Sequence, residues 1–214
     1  MAARRLRAAL RVLQLRGLDP AVKQLQDVLG EVRDLQLQVD WLRGRDEALR
    51  REREARLRAA EEKLASQLRR WRSRSLPALL AAAGDPFTPS ARKLAKMLRK
   101  RFDRLEERLE EARTRLAPKA LHRARIAVKQ VRYVLDVVRD AVPKKASGLD
   151  ADLKTLQASL GELHDVDVRI SLVKKNPKLL RDQREARAQL AKIIAAQLSR
   201  WRKSKVAARA RRAL

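Results

Sequence analysis

No cysteine occurs in the 214 residues, which removes disulfides and thiolate metal sites from consideration and fits a reducing compartment. Aromatic residues make up only 3% of the chain, a poor supply of the stacking platforms on which single-stranded nucleic acids are usually read. No apolar run approaches the roughly 20 residues that span a bilayer, so a soluble protein without membrane contact is expected. There is no convincing period-two alternation, and therefore no strand. No P-loop, helix-turn-helix or zinc-finger pattern is found either. Clustered carboxylates for a divalent metal are missing as well, since Asp165 and Asp167 do not share a helix face. A phosphate-processing enzyme is thereby disfavoured: no catalytic residue, metal ligand or cofactor is assigned.

Positive charge is what the chain has in excess. It carries 53 Lys and Arg against 26 Asp and Glu, a formal +27. Self-repulsion at this excess favours a strongly anionic partner. With 45% hydrophobic residues the chain is still too apolar for a disordered basic tail. An all-α protein rich in Leu, Ala and Arg is expected.

Prolines and glycines punctuate a helical periodicity. Helices are expected over 2–14, from Asp19-Pro20 to about Arg43, and from about Arg45 to Gly84 with a kink at Pro77. The segment "GDPFTPS" reads as a linker, giving a first repeat over 1–84, a linker at 85–89 and a second repeat over 90–214. Ser90 should cap a helix ending before Pro118, and Pro118 should open another that closes near Val142-Pro143. A helix over about Asp150–Lys175 follows, and Asn176-Pro177 begins a last one that runs towards the C-terminus.

The halves repeat. "LQDVLGEVRDLQL" (25–37) aligns without a gap on "LQASLGELHDVDV" (156–168), and Lys23 on Lys154. "ARRLRAALRVL" (3–13) aligns on "VKQVRYVLDVV" (128–138), which puts Arg4 on Lys129 and Arg7 on Arg132. "RWR" recurs at 70–72 and 200–202, the second copy ending in Arg202, with Arg74 and Lys203 close by. The fold expected is two antiparallel helical bundles related by a pseudo-two-fold repeat, the first lacking its first helix. The N-terminal segment, Arg-rich and free of acids until Asp19, has the look of a mitochondrial presequence, but the repeat makes it part of the fold.

Within "LHRARIAVKQVRYVLDVV" (121–138), His122, Arg125, Lys129 and Arg132 recur at helical steps and fall in one narrow stripe. Leu121, Ala124, Val128, Val131, Leu135 and Val138 form an apolar seam one residue away. Arg4, Arg7 and Arg11 flank the corresponding seam in the first repeat. A lone cation there would be ordinary surface snorkelling over a core. A row of them costs repulsion unless an anion spans it. Lys93, Lys96 and Lys100 share another face, on a helix whose later half is acidic. Tyr133 either donates into the groove or fills the seam's edge. Asp34 and Asp165 are better read as orienting a cation across helices than as acids. Trp71 and Trp201 read as core.

These motifs, His-x-x-Arg-x-x-x-Lys-x-x-Arg-Tyr followed by Leu-Gly-Glu-x-x-Asp, resemble the signature of the CHAD domain, the conserved histidine α-helical domain, over essentially the whole chain. The resemblance implies two four-helix bundles and binding of inorganic polyphosphate along a basic surface, in the cytoplasm and on polyphosphate granules. By position it implies His122, Arg125, Lys129 and Arg132 as ligand-binding residues, with Arg4 and Arg7 in the first repeat. His164 stands where that repeat has Arg33. Phosphate or sulfate ions would suit the same places. A helix and a histidine usual in the family's first repeat have no counterpart, leaving open a truncated chain or completion by another chain, as in a homodimer. Weak nucleic-acid binding from charge alone is the alternative function.

Overall fold

The computed structural model describes residues 2–13, 15, 17, 19–82, 90–141 and 149–212. No strand occurs among them. The chain divides into two compact units, Met1–Pro89 and Ser90–Leu214.

In the first unit, α1 (Ala2–Val12) packs on α2 (Asp19–Leu42), and α2 packs on α3 (Glu47–Arg70). Apolar side chains at helical spacing supply the contacts: Leu10 and Val12 on α1, and Val22, Val28, Val32, Val39 and Leu42 on α2, are buried. Gly44 turns the chain at φ +70, a conformation that costs glycine little. Asp46 then caps α3, its side chain accepting from the Leu49 amide at 3.0 Å.

Where a kink is expected at Pro77, the irregularity observed is a π turn one turn earlier. A π turn over Trp71–Ser75 separates α3 from α4 (Leu76–Ala82), and the Leu76 amide reaches back to the Trp71 carbonyl. Proline has no amide for the Ser73 carbonyl, and its ring crowds the preceding turn. Widening that turn relieves the crowding without ending the helix.

The second unit is a closed four-helix ring. Helices α5 (Ala91–Arg115), α6 (Pro118–Val137), α7 (Asp150–Leu172) and α8 (Pro177–Ser204) pack each on the next, and α5 packs also on α8. A 3-10 turn, Arg139–Ala141, follows α6. The starts follow the sequence signals. The Ser90 hydroxyl accepts from the Lys93 amide, Pro118 occupies the first turn of α6, and the Asn176 side chain accepts from the Leu179 amide. On α5, Leu94, Leu98, Phe102, Leu105, Leu109 and Ala112 face inward, with Phe102 and Leu105 fully enclosed. The seam expected on α6 is buried at all six positions.

The last helix is not continuous. Lys205 takes a left-handed conformation at φ 50, and a short α9 (Val206–Arg212) folds back on α5, burying Ala207 and Ala210. Residues 83–89, with the whole of the expected linker at 85–89, and 142–148, with most of the expected loop before α7, lie outside the described residues. No helix among those described is long and apolar enough to cross a membrane.

Candidate functional site

Helices α6 and α7 run antiparallel, and side chains on their adjoining flanks meet at both ends of the pair. At one end the chain's only two histidines stand together: the His122 and His164 rings are 5.5 Å apart and tilted by 42°. At the other end, Arg132 donates from Nε to Asp150 Oδ1 at 3.3 Å and from Nη1 to Gln157 Oε1 at 2.9 Å. Ten residues of α6 separate these ends, about 15 Å of helix. Arg125 and Lys129, both half-buried, lie between them on the same stripe. The facing row of α7 mirrors the spacing: Lys154, Gln157, Gly161 and His164 follow at steps of three, four and three.

The first unit repeats the geometry between α1 and α2. Arg7 donates from Nε and Nη2 to the two oxygens of Asp19 at 2.8 and 3.2 Å, and from Nη1 to Gln26 Oε1 at 3.3 Å. Arg11 adds a 3.0 Å bond to the same carboxylate. These hydrogen bonds, Arg7's foremost, hold the Asp19 carboxyl down at about 2 although partial burial opposes its charge. Arg4 is half-buried on α1; Lys23, Gln26, Gly30 and Arg33 form the facing row of α2.

Asp19 and Asp150 are thus part of each site and carry no role in the sequence reading, which takes Asp19 for a helix start. The signal was available, because Asp19 falls on Asp150 at the same offset that relates Leu25 to Leu156. Two other carboxylates need correction. Among the described residues neither Asp34 nor Asp165 forms an ion pair; the cation held across helices on this stretch is Arg187, which Asp167 accepts at 2.6 Å. Asp165 lies two residues earlier and so points off that face.

The remaining expected residues are distributed more widely. Lys93, Lys96 and Lys100 are exposed on α5, which packs on α6 and α8. Lys154 and Arg33 are exposed at the rims, and Lys23 pairs with Asp27 on its own helix. Arg74 projects from the π turn, exposed; Lys203 is exposed on α8; Arg202 lies 4.0 Å from Glu110. Tyr133 is half-buried on α6, and Trp71 and Trp201 are half-buried rather than enclosed. In the acidic half of α5, Glu110 pairs with Arg113 on the same helix, and Glu111 pairs with Arg108 and with Arg123 of α6.

A family model described as CHAD domain matches residues 1–174. The chain belongs to the CHAD domain family. The match takes in α1 to α7 and stops between α7 and α8. The crystal structure of the CHAD domain from the plant Ricinus communis superposes with a TM-score of 0.62 at 20% identity, covering 92% of this chain and 78% of that one. At that identity the likeness establishes the CHAD fold alone. No curated protein matches the chain.

Proposed function

We propose that the chain binds inorganic polyphosphate, without turning it over, in the groove between α6 and α7 and its counterpart between α1 and α2. The observation that carries this reading is the convergence of His122 and His164 at one end of a row of cations that closes on Arg132. A linear chain with roughly one charge per phosphate fits a row whose members recur about once a turn. Arginine forks grip two oxygens at once, lysines act as point charges, and histidines donate hydrogen bonds when neutral and more strongly when protonated. No base needs reading, which agrees with the scarcity of aromatics. The resemblance to the CHAD signature points to the same ligand and to association with polyphosphate granules.

Long-chain polyphosphate is to be titrated over a series of salt concentrations, with RNA at equal phosphate as competitor. Tight, steeply salt-dependent binding that RNA displaces poorly is expected, by analogy with counterion release from nucleic acids. Equal displacement by RNA would replace this reading with non-specific polyanion binding.

A further inference from the structure

Gly161 occupies the middle of the groove-facing row of α7, four residues after Gln157 and three before His164. Glycine is the least favourable helix-interior residue after proline, so its presence there asks for a reason. Two ordinary reasons fail. Its φ is not in the left-handed region, so no special backbone conformation requires it. Nor is another part of the protein packed close, because a Cβ built at Gly161 would meet no atom within 4 Å. Gly30 repeats both observations in α2, between Gln26 and Arg33 at the same spacing. The space above each glycine is open; on the neighbouring helix Arg125 and Lys129 fall between the two cross-helix contacts that bracket Gly161, and in the first unit Arg4 lies beyond the Arg7–Gln26 contact on the Gly30 side.

We propose that Gly161, and Gly30 in the first unit, are binding residues: a bare floor on which an unbranched polyanion lies lengthwise against the helix backbone. Without a Cβ the chain sits deeper between the two rows, nearer to Arg125 and Lys129 on one side and to His164 on the other. Coulomb attraction varies inversely with separation, so small gains in depth count at every phosphate. A mutually open floor in each unit also selects against bulky or branched anions, which cannot settle between the rows. This inference rests on the polyphosphate reading and adds residues that carry neither charge nor a polar side chain.

The test compares Gly161→Ala and Gly161→Leu with the unsubstituted chain, reading thermal stability and long-chain polyphosphate affinity at one fixed salt concentration. Both substitutions enter open space in a helix and are expected to raise Tm. Affinity should fall in order of bulk, by roughly threefold for Ala and roughly tenfold for Leu, the latter equivalent to one lost charge-assisted contact. Ala196→Leu, at an exposed position on α8, should leave affinity unchanged. Full affinity in Gly161→Leu, a lowered Tm in Gly161→Ala, or an equal loss in Ala196→Leu would each overturn the floor while leaving polyphosphate binding standing. No binding by the unsubstituted chain overturns both.

Discussion

Arg7 and Arg132 hold the same two partners in their respective units: an aspartate at the start of the following helix and a glutamine seven residues beyond it. Their side chains are only 14% and 21% exposed, so these are cross-helix ties as well as members of the cationic rows. Arg132→Ala should cost about 1–2 kcal/mol in chemical denaturation, the worth of a partly buried charge-assisted hydrogen bond and the glutamine acceptor it leaves unpaired. Arg132→Lys should recover only part, because an ammonium cannot span both acceptors with a planar fork.

Asp19 gives this tie a pH signature. Its folded pKa of about 2 lies below the ordinary aspartate value of 3.8, so it adds stability that is complete above about pH 5 and lost as pH falls towards 2. The stabilisation is at most about 2.5 kcal/mol, given about 1.36 kcal/mol for each unit of depression. Asp19→Asn should flatten that limb of the stability profile, as read by urea titrations between pH 2 and 5. A parallel loss of stability with acid in both proteins would place the titration elsewhere.

The helices and most of their ends were legible because caps and prolines act within one turn. Ser90, Asn176 and Pro118 do in the structure what short-range rules require of them. The all-α architecture followed from the same local periodicity. The partnership of His122 with His164 was not legible, since it joins residues far apart in sequence and depends on the register of two antiparallel helices. The same holds for Arg132 and Asp150. Repeat alignment showed equivalent positions, but not that the row's last arginine in each half is already engaged by a carboxylate. The break at Lys205 also escaped, because a left-handed lysine leaves no glycine or proline to announce it.

Repeat-equivalent positions need not be energetically equivalent. Leu160 is 2% exposed and Leu29 is 38% exposed, although the two align without a gap. Leu160 belongs to a ring of four packed helices, whereas among the described residues the first unit presents α1 to α4 without a counterpart to α5. Leu160→Ala should therefore cost about 2–5 kcal/mol, the usual range for a buried leucine, and Leu29→Ala under about 1 kcal/mol. Matched denaturation curves for the two variants check the difference, and equal losses would mean that Leu29 is covered in solution.

The cationic row makes its own prediction once the structural arginine is spared. In His122→Ala combined with Arg125→Gln and Lys129→Gln, Arg132 keeps its grip on Asp150 and Gln157, so α6 stays docked on α7. Helicity by circular dichroism should match that of the unsubstituted chain. Polyphosphate affinity should drop on the order of a hundredfold, as two lost charge contacts at about 1.4 kcal/mol each imply. The salt slope, log K against log salt, should become shallower by about 0.7–0.9 for each cation removed, by analogy with nucleic-acid binding. Slope and affinity must change together: a weaker affinity at an unchanged slope would mean that the substitutions had disturbed the fold instead of removing contacts to the anion.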